Sequence, residues 1–140
     1  MPYMNQEKKA KIAELVKPIL KKYNLKGSLS IYNYSTICLN LKSGKIDFID
    51  NYNKKLIEDN HKIYGYDKKR TIDYGFMQVN EFTVKERFTG DAKNALLELK
   101  DALLSANWYD ESEPMTVYYD IVYYISINIG KYDKDYVVTE

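Results

Sequence analysis

The chain holds one histidine and one cysteine, the two side chains best suited to acid–base or nucleophilic chemistry at neutral pH. His61 lies in the polar segment "EDNHK" beside Asp59, and a neighbouring carboxylate alone does not make an imidazole a general base. Cys38 lies in the apolar segment "TICLNL", where no basic neighbour would lower the pKa of its thiol. We predict that the two form no catalytic dyad and that the protein is not an enzyme.

Metal and cofactor chemistry is equally sparse. A structural zinc site needs four cysteine or histidine ligands, and the chain holds two such residues. Asp47 and Asp50, one helical turn apart, leave a magnesium site open. The segments "GDAKNAL" and "KSGKID" contain one glycine each and lack the spacing of a phosphate-binding loop. We therefore predict no cofactor.

An aromatic and acidic segment, "WYDESEPMTVYYD", has the composition of a protein-binding surface. Aromatic anchors within a charged rim are typical of interfaces, and a solvated loop is the alternative interpretation. With one tyrosine of the following strand, the predicted protein-binding residues are Trp108, Tyr109, Asp110, Glu111, Glu113, Asp120 and Tyr124.

A second set of residues favours nucleic acid. Residues 1–70 carry a net charge of +8 and residues 71–140 a net charge of −7. Lysines of the basic first helix could contact phosphate, and exposed tyrosines could stack on bases. The sequence pI of about 7.7 argues against this alternative, since nucleic-acid-binding domains are usually more basic. Its residues are Lys8, Lys9, Lys11, Lys21, Lys22, Tyr32 and Tyr34, with Tyr124 beside them.

The length of 140 residues, with 45% hydrophobic residues, predicts a single domain over residues 1–140. The single cysteine fits a reducing compartment. No apolar stretch approaches the roughly 18 residues of a membrane helix, and the N-terminus shows no signal peptide. We expect a cytoplasmic protein that does not bind membranes.

Apolar periodicity predicts the elements that position these residues. Spacings of three and four predict helices over residues 5–24, 46–64 and 90–106. Pro18 should kink the first helix or make it restart, Gly27 should close it, and Thr89 or Asp91 should cap the last. Alternation predicts a hairpin over residues 28–42 and strands over 76–84 and 118–130.

The strand 118–130 decides the orientation of several tyrosines. Its odd residues, among them Tyr119 and Tyr123, form a nearly continuous apolar side and should face the core, whereas Tyr118 and Tyr124 should face outward. The expected fold is α+β, with a four-stranded, mostly antiparallel sheet and about three helices mainly on one face. The N-terminal helix occupies residues 5–24, and the sheet and remaining helices occupy residues 28–138.

The stretches "YGFMQVNEF" and "SEPMTVYYDIVYYISINIGKYDKDYVV" resemble signature segments of a family of small domains associated with large polyvalent proteins of phages and conjugative elements. The likeness covers roughly residues 27–138. Val117 stands where the family has an acidic residue, and Asp135 where it has a proline. The matching residues are Gly75, Gln78, Val79, Asn80, Met115, Thr116, Tyr119, Asp120, Tyr123, Tyr124, Gly130, Lys131, Asp133 and Lys134.

The resemblance implies a biological setting rather than a reaction, because the family has no assigned activity. The setting is a phage, a plasmid or an integrated element, whose small proteins often inhibit host defence, including CRISPR and restriction systems. We therefore expect an anti-CRISPR-like protein that occludes a host protein or nucleoprotein complex. A nucleic-acid-binding accessory protein is the alternative, and the oligomeric state is left open.

Overall fold

The computed structural model describes residue 4 and residues 6–64, 75–106, 123–131 and 133–139. Four helices and five strands lie in these ranges, together with a short 3₁₀ helix at Leu104–Ala106. In chain order the elements are α1 (Gln6–Lys22), β1 (Leu25–Tyr32), β2 (Thr36–Gly44), α2 (Phe48–Tyr64), β3 (Met77–Val79), α3 (Val84–Arg87), α4 (Gly90–Leu103), β4 (Tyr124–Ile129) and β5 (Val137–Val138).

The strands form one mixed sheet in the order β1-β2-β4-β3. β1 and β2 are an antiparallel hairpin, and β3 pairs antiparallel with β4. β4 lies parallel to β2 through the register Thr36↔Tyr124 to Leu41↔Ile129, and β5 continues along β2 beyond the end of β4. The sequence prediction of α+β is confirmed, but the sheet has five strands rather than four and contains two parallel pairings.

One side of the sheet is covered by the helices and forms the core. Alternate residues of the strands are fully buried there, as in Ile37, Leu39 and Leu41 of β2 and Ile127 and Ile129 of β4. The helices contribute apolar residues at helical spacing to the same cluster. The larger of their buried members include Ile12, Val16, Phe48, Leu96, Leu99 and Leu103.

The ends of α1 differ from the prediction. The helix runs past Pro18 without interruption from Gln6 to Lys22. It is closed by Asn24, whose φ of 54° supplies the left-handed conformation expected of Gly27. Gly27 instead lies within β1, where a Cβ atom would come within 2.8 Å of the Asn40 carbonyl oxygen of β2. The close approach of two strands therefore requires this glycine.

The predicted strand 76–84 is shorter than expected. It ends at Val79 because Asn80 begins a turn, in which its side-chain oxygen accepts a hydrogen bond from the Phe82 amide at 3.0 Å. Val84 then starts the short helix α3, which the sequence analysis did not predict. Thr89 is the N-cap residue of α4, but its side chain makes no cap hydrogen bond; instead its amide donates to Asn51 of α2 at 3.0 Å.

Candidate functional site

The side of the sheet opposite the helices bears exposed or half-exposed side chains and no charged residue over its central rows. Residues that pair across neighbouring strands project from the same side of a sheet. Cross-strand pairing places ten residues there in three rows. We name these residues the open face: Tyr32, Thr36 and Tyr124 in the first row, Ser30, Cys38 and Ser126 in the second, and Ser28, Asn40, Asn128 and Gln78 in the third.

A chain of hydrogen bonds crosses the open face over all four strands. Asn128 Nδ2 donates to Asn40 Oδ1 at 3.1 Å, and Asn40 Nδ2 donates to Ser30 Oγ at 3.1 Å. On the other side, Gln78 Nε2 donates to Ser126 Oγ at 3.3 Å, and that hydroxyl donates to Asn128 Oδ1 at 3.5 Å. These bonds hold five polar side chains in fixed orientations before any ligand arrives.

Three tyrosines stand at one end of the open face. Tyr32 is 64% exposed and Tyr124 is 48% exposed, and the two flank Thr36 in the same row. Tyr34, 80% exposed, lies at the tip of the adjoining hairpin. Each ring therefore has a surface available for contact with a partner.

The tip of the hairpin holds Tyr34 in an unfavourable backbone conformation. Asn33 and Tyr34 have φ values of 52° and 59°, and the Ser35 amide donates to the Tyr32 carbonyl at 3.2 Å. Positive φ at both central residues is the geometry of a type I′ turn, which favours asparagine followed by glycine. The second position thus carries an exposed aromatic ring where glycine would be the least strained residue.

Lysines mark the opposite end of the open face. Lys42, Lys131 and Lys134 line a small pocket of about 100 Å³ together with Asn40 of the third row. The backbone holds two of these lysines together, since the Lys131 amide donates to the Lys134 carbonyl at 2.7 Å. Asp135 also lines the pocket, so the positive charge there is partly offset.

Cys38 lies at the centre of the open face. Partial burial raises the pKa of its thiol above the usual value, although hydrogen bonds with Ser30 and Ser126 act in the opposite direction. The thiol is therefore protonated at neutral pH, the form that is a poor nucleophile. Within the open face, Cys38 therefore acts as a small, weakly polar side chain.

The structure separates the two halves of the predicted nucleic-acid site. Tyr32 and Tyr124 lie in one row at one end of the open face, and Tyr34 lies at the tip of the adjoining hairpin. The lysines lie on α1, whose buried residues Ile12 and Val16 pack in the core on the other side of the sheet. The lysines concerned are Lys8, Lys9, Lys11, Lys21 and Lys22.

Lys22 is further engaged with α4. Its Nζ lies 2.9 Å from the Glu98 carboxylate, which also accepts a short hydrogen bond from the Tyr23 hydroxyl. The hydrogen bond from Tyr23 and, to a smaller extent, the one from Lys22 lower the pKa of Glu98 below its usual value. The contact joins α1 to α4 and gives Lys22 a structural role.

Most of the predicted protein-binding residues lie outside the described part of the chain, namely Trp108, Tyr109, Asp110, Glu111, Glu113 and Asp120. Tyr118 and Tyr119, whose orientation the alternation predicts, lie outside it as well. Tyr124 is described and exposed, and its amide donates to the Ser35 carbonyl at 2.8 Å. It belongs to both predicted sets, and the structure places it in the same row as Tyr32, on the other side of Thr36.

The two aspartates considered for magnesium have local partners. The Asp47 carboxylate accepts a hydrogen bond from the Asp50 amide at 3.0 Å, as an N-cap residue of α2 would. The Asp50 carboxylate pairs with Lys54 at 3.0 Å. Over residues 6–64, 75–106, 123–131 and 133–139, no three His, Cys, Asp or Glu side chains are grouped as metal ligands.

The sequence analysis missed the central polar residues of the open face. The available signal was the outward half of each alternating strand, which reads Ser28, Ser30 on β1, Asn40 on β2, and Ser126, Asn128 on β4. Within a single strand, these outward residues are indistinguishable from an ordinary solvent-exposed polar side. Only the registers of β1, β2 and β4 bring these residues into one uncharged surface.

None of the described helices is long and apolar enough to cross a membrane. Comparisons of the chain with protein-family models, with curated proteins and with solved structures found no match.

Proposed function

We propose that this chain is a non-enzymatic binding protein of a phage or mobile element that inhibits or modulates a host defence complex by occluding a protein surface with its open face. The mobile-element setting is supported by the sequence resemblance described above. The binding surface is supported by the arrangement of the open face, whose ten residues carry no formal charge at neutral pH while Cys38 is protonated.

The composition of the open face carries this proposal. Serine, asparagine and tyrosine predominate, which is the composition of antibody paratopes, where tyrosine supplies contact area and serine and asparagine supply adaptable hydrogen bonds. A face without charges has no steep desolvation cost on burial. Its exposed rings, Tyr32 and Tyr124, lie at the rim beside Tyr34 and can fill apolar depressions of a partner.

The order of the open face supports the same function. The hydrogen bonds from Ser30 through Asn40, Asn128 and Ser126 to Gln78 fix the side chains on a rigid sheet. A rigid surface loses little conformational entropy when a partner covers it, so more of the contact energy remains as affinity.

Binding of single-stranded nucleic acid is the second candidate, and the lysine pocket favours it. Lys131 and Lys134 lie at the end of the open face opposite Tyr124, roughly 20 Å along the strand at about 3.3 Å per residue. Tyrosines at one end and lysines at the other would allow bases to stack while phosphate is neutralised.

A pull-down with matched variants tests the protein-binding function. Wild type and the double variant Tyr32→Ala/Tyr124→Ala are used as baits for purified host defence complexes, with retained protein quantified. We expect the double variant to lose at least about tenfold in affinity, since two truncated interface tyrosines each cost more than about 1 kcal/mol. Leu15→Ala is the control, because Leu15 is 50% exposed on α1, away from the open face.

Titration with a single-stranded oligonucleotide at increasing salt separates the two candidates. Phosphate binding weakens steeply with salt and would weaken again in a Lys131→Ala/Lys134→Ala variant. Protein binding through the open face should respond little to either change. Equal retention of a defence complex by the wild type and the double tyrosine variant would contradict the proposed surface.

A further inference from the structure

A second cavity lies beyond the edge of β3, between α2 and α3, with a volume of about 410 Å³. This volume is within the range of small-molecule sites in proteins. Three aromatic side chains line it, namely Tyr52 of α2, Phe76 before β3, and Phe88 after α3, of which Phe88 is nearly fully buried. The Tyr52 and Phe88 rings are in tilted contact, with centroids 5.7 Å apart. We name this cavity the edge cleft.

Arg87 is the one charged residue that lines the edge cleft within the described chain. It is half-buried at the end of α3. Every ion pair found among the described residues joins other side chains, so Arg87 has no carboxylate partner there. A partly desolvated guanidinium attracts an anion more strongly than a fully exposed one does, because water screens it less.

Polar groups beside Arg87 can complete an anion site. Asn80 lines the cleft and uses its side-chain oxygen to accept from the Phe82 amide, so its Nδ2 is the end that remains as a donor. Thr83 also lines the cleft, and its amide is satisfied by the Asn80 carbonyl at 3.1 Å. The Thr83 hydroxyl also donates to that carbonyl, at 3.5 Å. The cleft thus combines aromatic side chains, a guanidinium and the amide donor of Asn80.

We propose that the edge cleft binds a small organic acid, with its carboxylate on Arg87 and its aromatic body against Tyr52, Phe76 and Phe88. The planar guanidinium matches a carboxylate with two parallel hydrogen bonds. The aromatic wall favours a ligand with an apolar body over a bare inorganic anion. This site is independent of the proposed function, although Gln78 borders both surfaces.

Binding of a defined probe tests the inference. The full chain is titrated with 3-phenylpropionate and, separately, with the neutral 3-phenylpropanamide and with inorganic phosphate, while backbone amide shifts are followed by NMR. We expect the carboxylate to shift the amides around Phe76, Thr83 and Phe88 and to bind at least about tenfold more tightly than either control. Equal binding of the amide, or shifts confined to the open face, would overturn the inference.

Substitutions on the same short helix provide matched variants. Arg87→Gln should reduce the affinity for 3-phenylpropionate at least about tenfold, and Arg87→Lys should give an intermediate loss because it keeps the charge without the paired geometry. Lys85→Gln removes the same charge from an exposed position of α3 and should have no effect. An equal loss in Lys85→Gln would show general charge attraction and overturn the site.

Two further arms identify the source of the carboxylate and separate this inference from the proposed function. A Gly-Gly-Phe peptide with a free C-terminus is compared with 3-phenylpropionate, and its C-terminal amide is the control. Tighter binding of the free peptide than of 3-phenylpropionate would identify the end of a protein chain as the ligand and overturn the assignment of a small acid. The Tyr32→Ala/Tyr124→Ala variant should bind 3-phenylpropionate as the wild type does. Failure of the probe to bind would leave the defence-complex measurements unaffected.

Discussion

The neighbouring tyrosines at the start of β4, Tyr123 just before the strand and Tyr124 as its first residue, have opposite environments. Tyr123 is 1% exposed, and its hydroxyl donates a short hydrogen bond to the Leu103 carbonyl at the end of α4. Tyr124 is 48% exposed on the open face. The alternation predicted this difference, and the structure confirms it for these two residues.

We expect Tyr123→Ala to destabilise the fold by roughly 3–5 kcal/mol, because it removes a large buried ring and leaves the Leu103 carbonyl without its donor. Tyr124→Ala should change the free energy of unfolding by less than about 1 kcal/mol. Urea unfolding followed by circular dichroism measures both. A larger loss for Tyr124→Ala than for Tyr123→Ala would contradict the register of β4.

Because the hairpin tip is strained, substitution of Tyr34 should affect stability and partner binding in opposite directions. Tyr34→Gly places glycine after Asn33, the preferred pair for this turn, and should stabilise the fold by about 1 kcal/mol. The same substitution removes an exposed ring and should weaken binding of the partner. Thermal unfolding and partner affinity, measured on one preparation, test the gain in stability and the loss of binding. Asn33→Ala is the control, since it should destabilise the turn while keeping the Tyr34 ring.

At the scale of elements, α1 and α4 share the apolar core, and one carboxylate, Glu98, adds a polar contact between the two. Glu98 accepts hydrogen bonds from Tyr23 and Lys22, which lower the pKa of Glu98 below the usual 4.5. The folded chain therefore binds fewer protons here than the unfolded chain as pH falls. The stabilisation is complete above about pH 4.5 and is lost as pH falls through the lower folded pKa.

Glu98→Gln should accordingly lower the melting temperature at pH 7 by a few degrees at most, since the contact is partly exposed. The difference between variant and wild type should shrink as pH falls below 4.5. Melting curves measured from pH 7 to pH 3 provide the test. Glu86→Gln, at an exposed position of α3, is the control and should show no such trend. A difference for Glu98→Gln that grew on acidification would contradict the assigned direction.

Across the whole molecule, β2 is the best-protected strand, because β1 pairs with one edge and β4 and β5 pair with the other. β3 has three residues and lies at the end of the sheet order. Amide hydrogen exchange should therefore be slowest in Ile37 to Leu41 and clearly faster in β3. Slower exchange in β3 than in β2 would contradict the strand order.

Local pattern was sufficient for the type of most elements and for which residues of a strand face the core. The hairpin of β1 and β2 and the helix α4 could be predicted because apolar spacing and turn residues act over a few positions. The same local signals placed Tyr123 in the core and Tyr124 on the outward side.

The tertiary structure decided which strands pair and which segments come together at the edge of the sheet. Alternation shows which side a residue faces but contains no information about which strand lies next to it, so the parallel pairing of β2 with β4 could not be predicted. The uncharged open face exists only because that pairing aligns Asn40 with Asn128 and Cys38 with Ser126. Arg87 likewise lines one cavity with Tyr52 and Phe76 because packing, rather than sequence spacing, brings three segments together at the edge of the sheet.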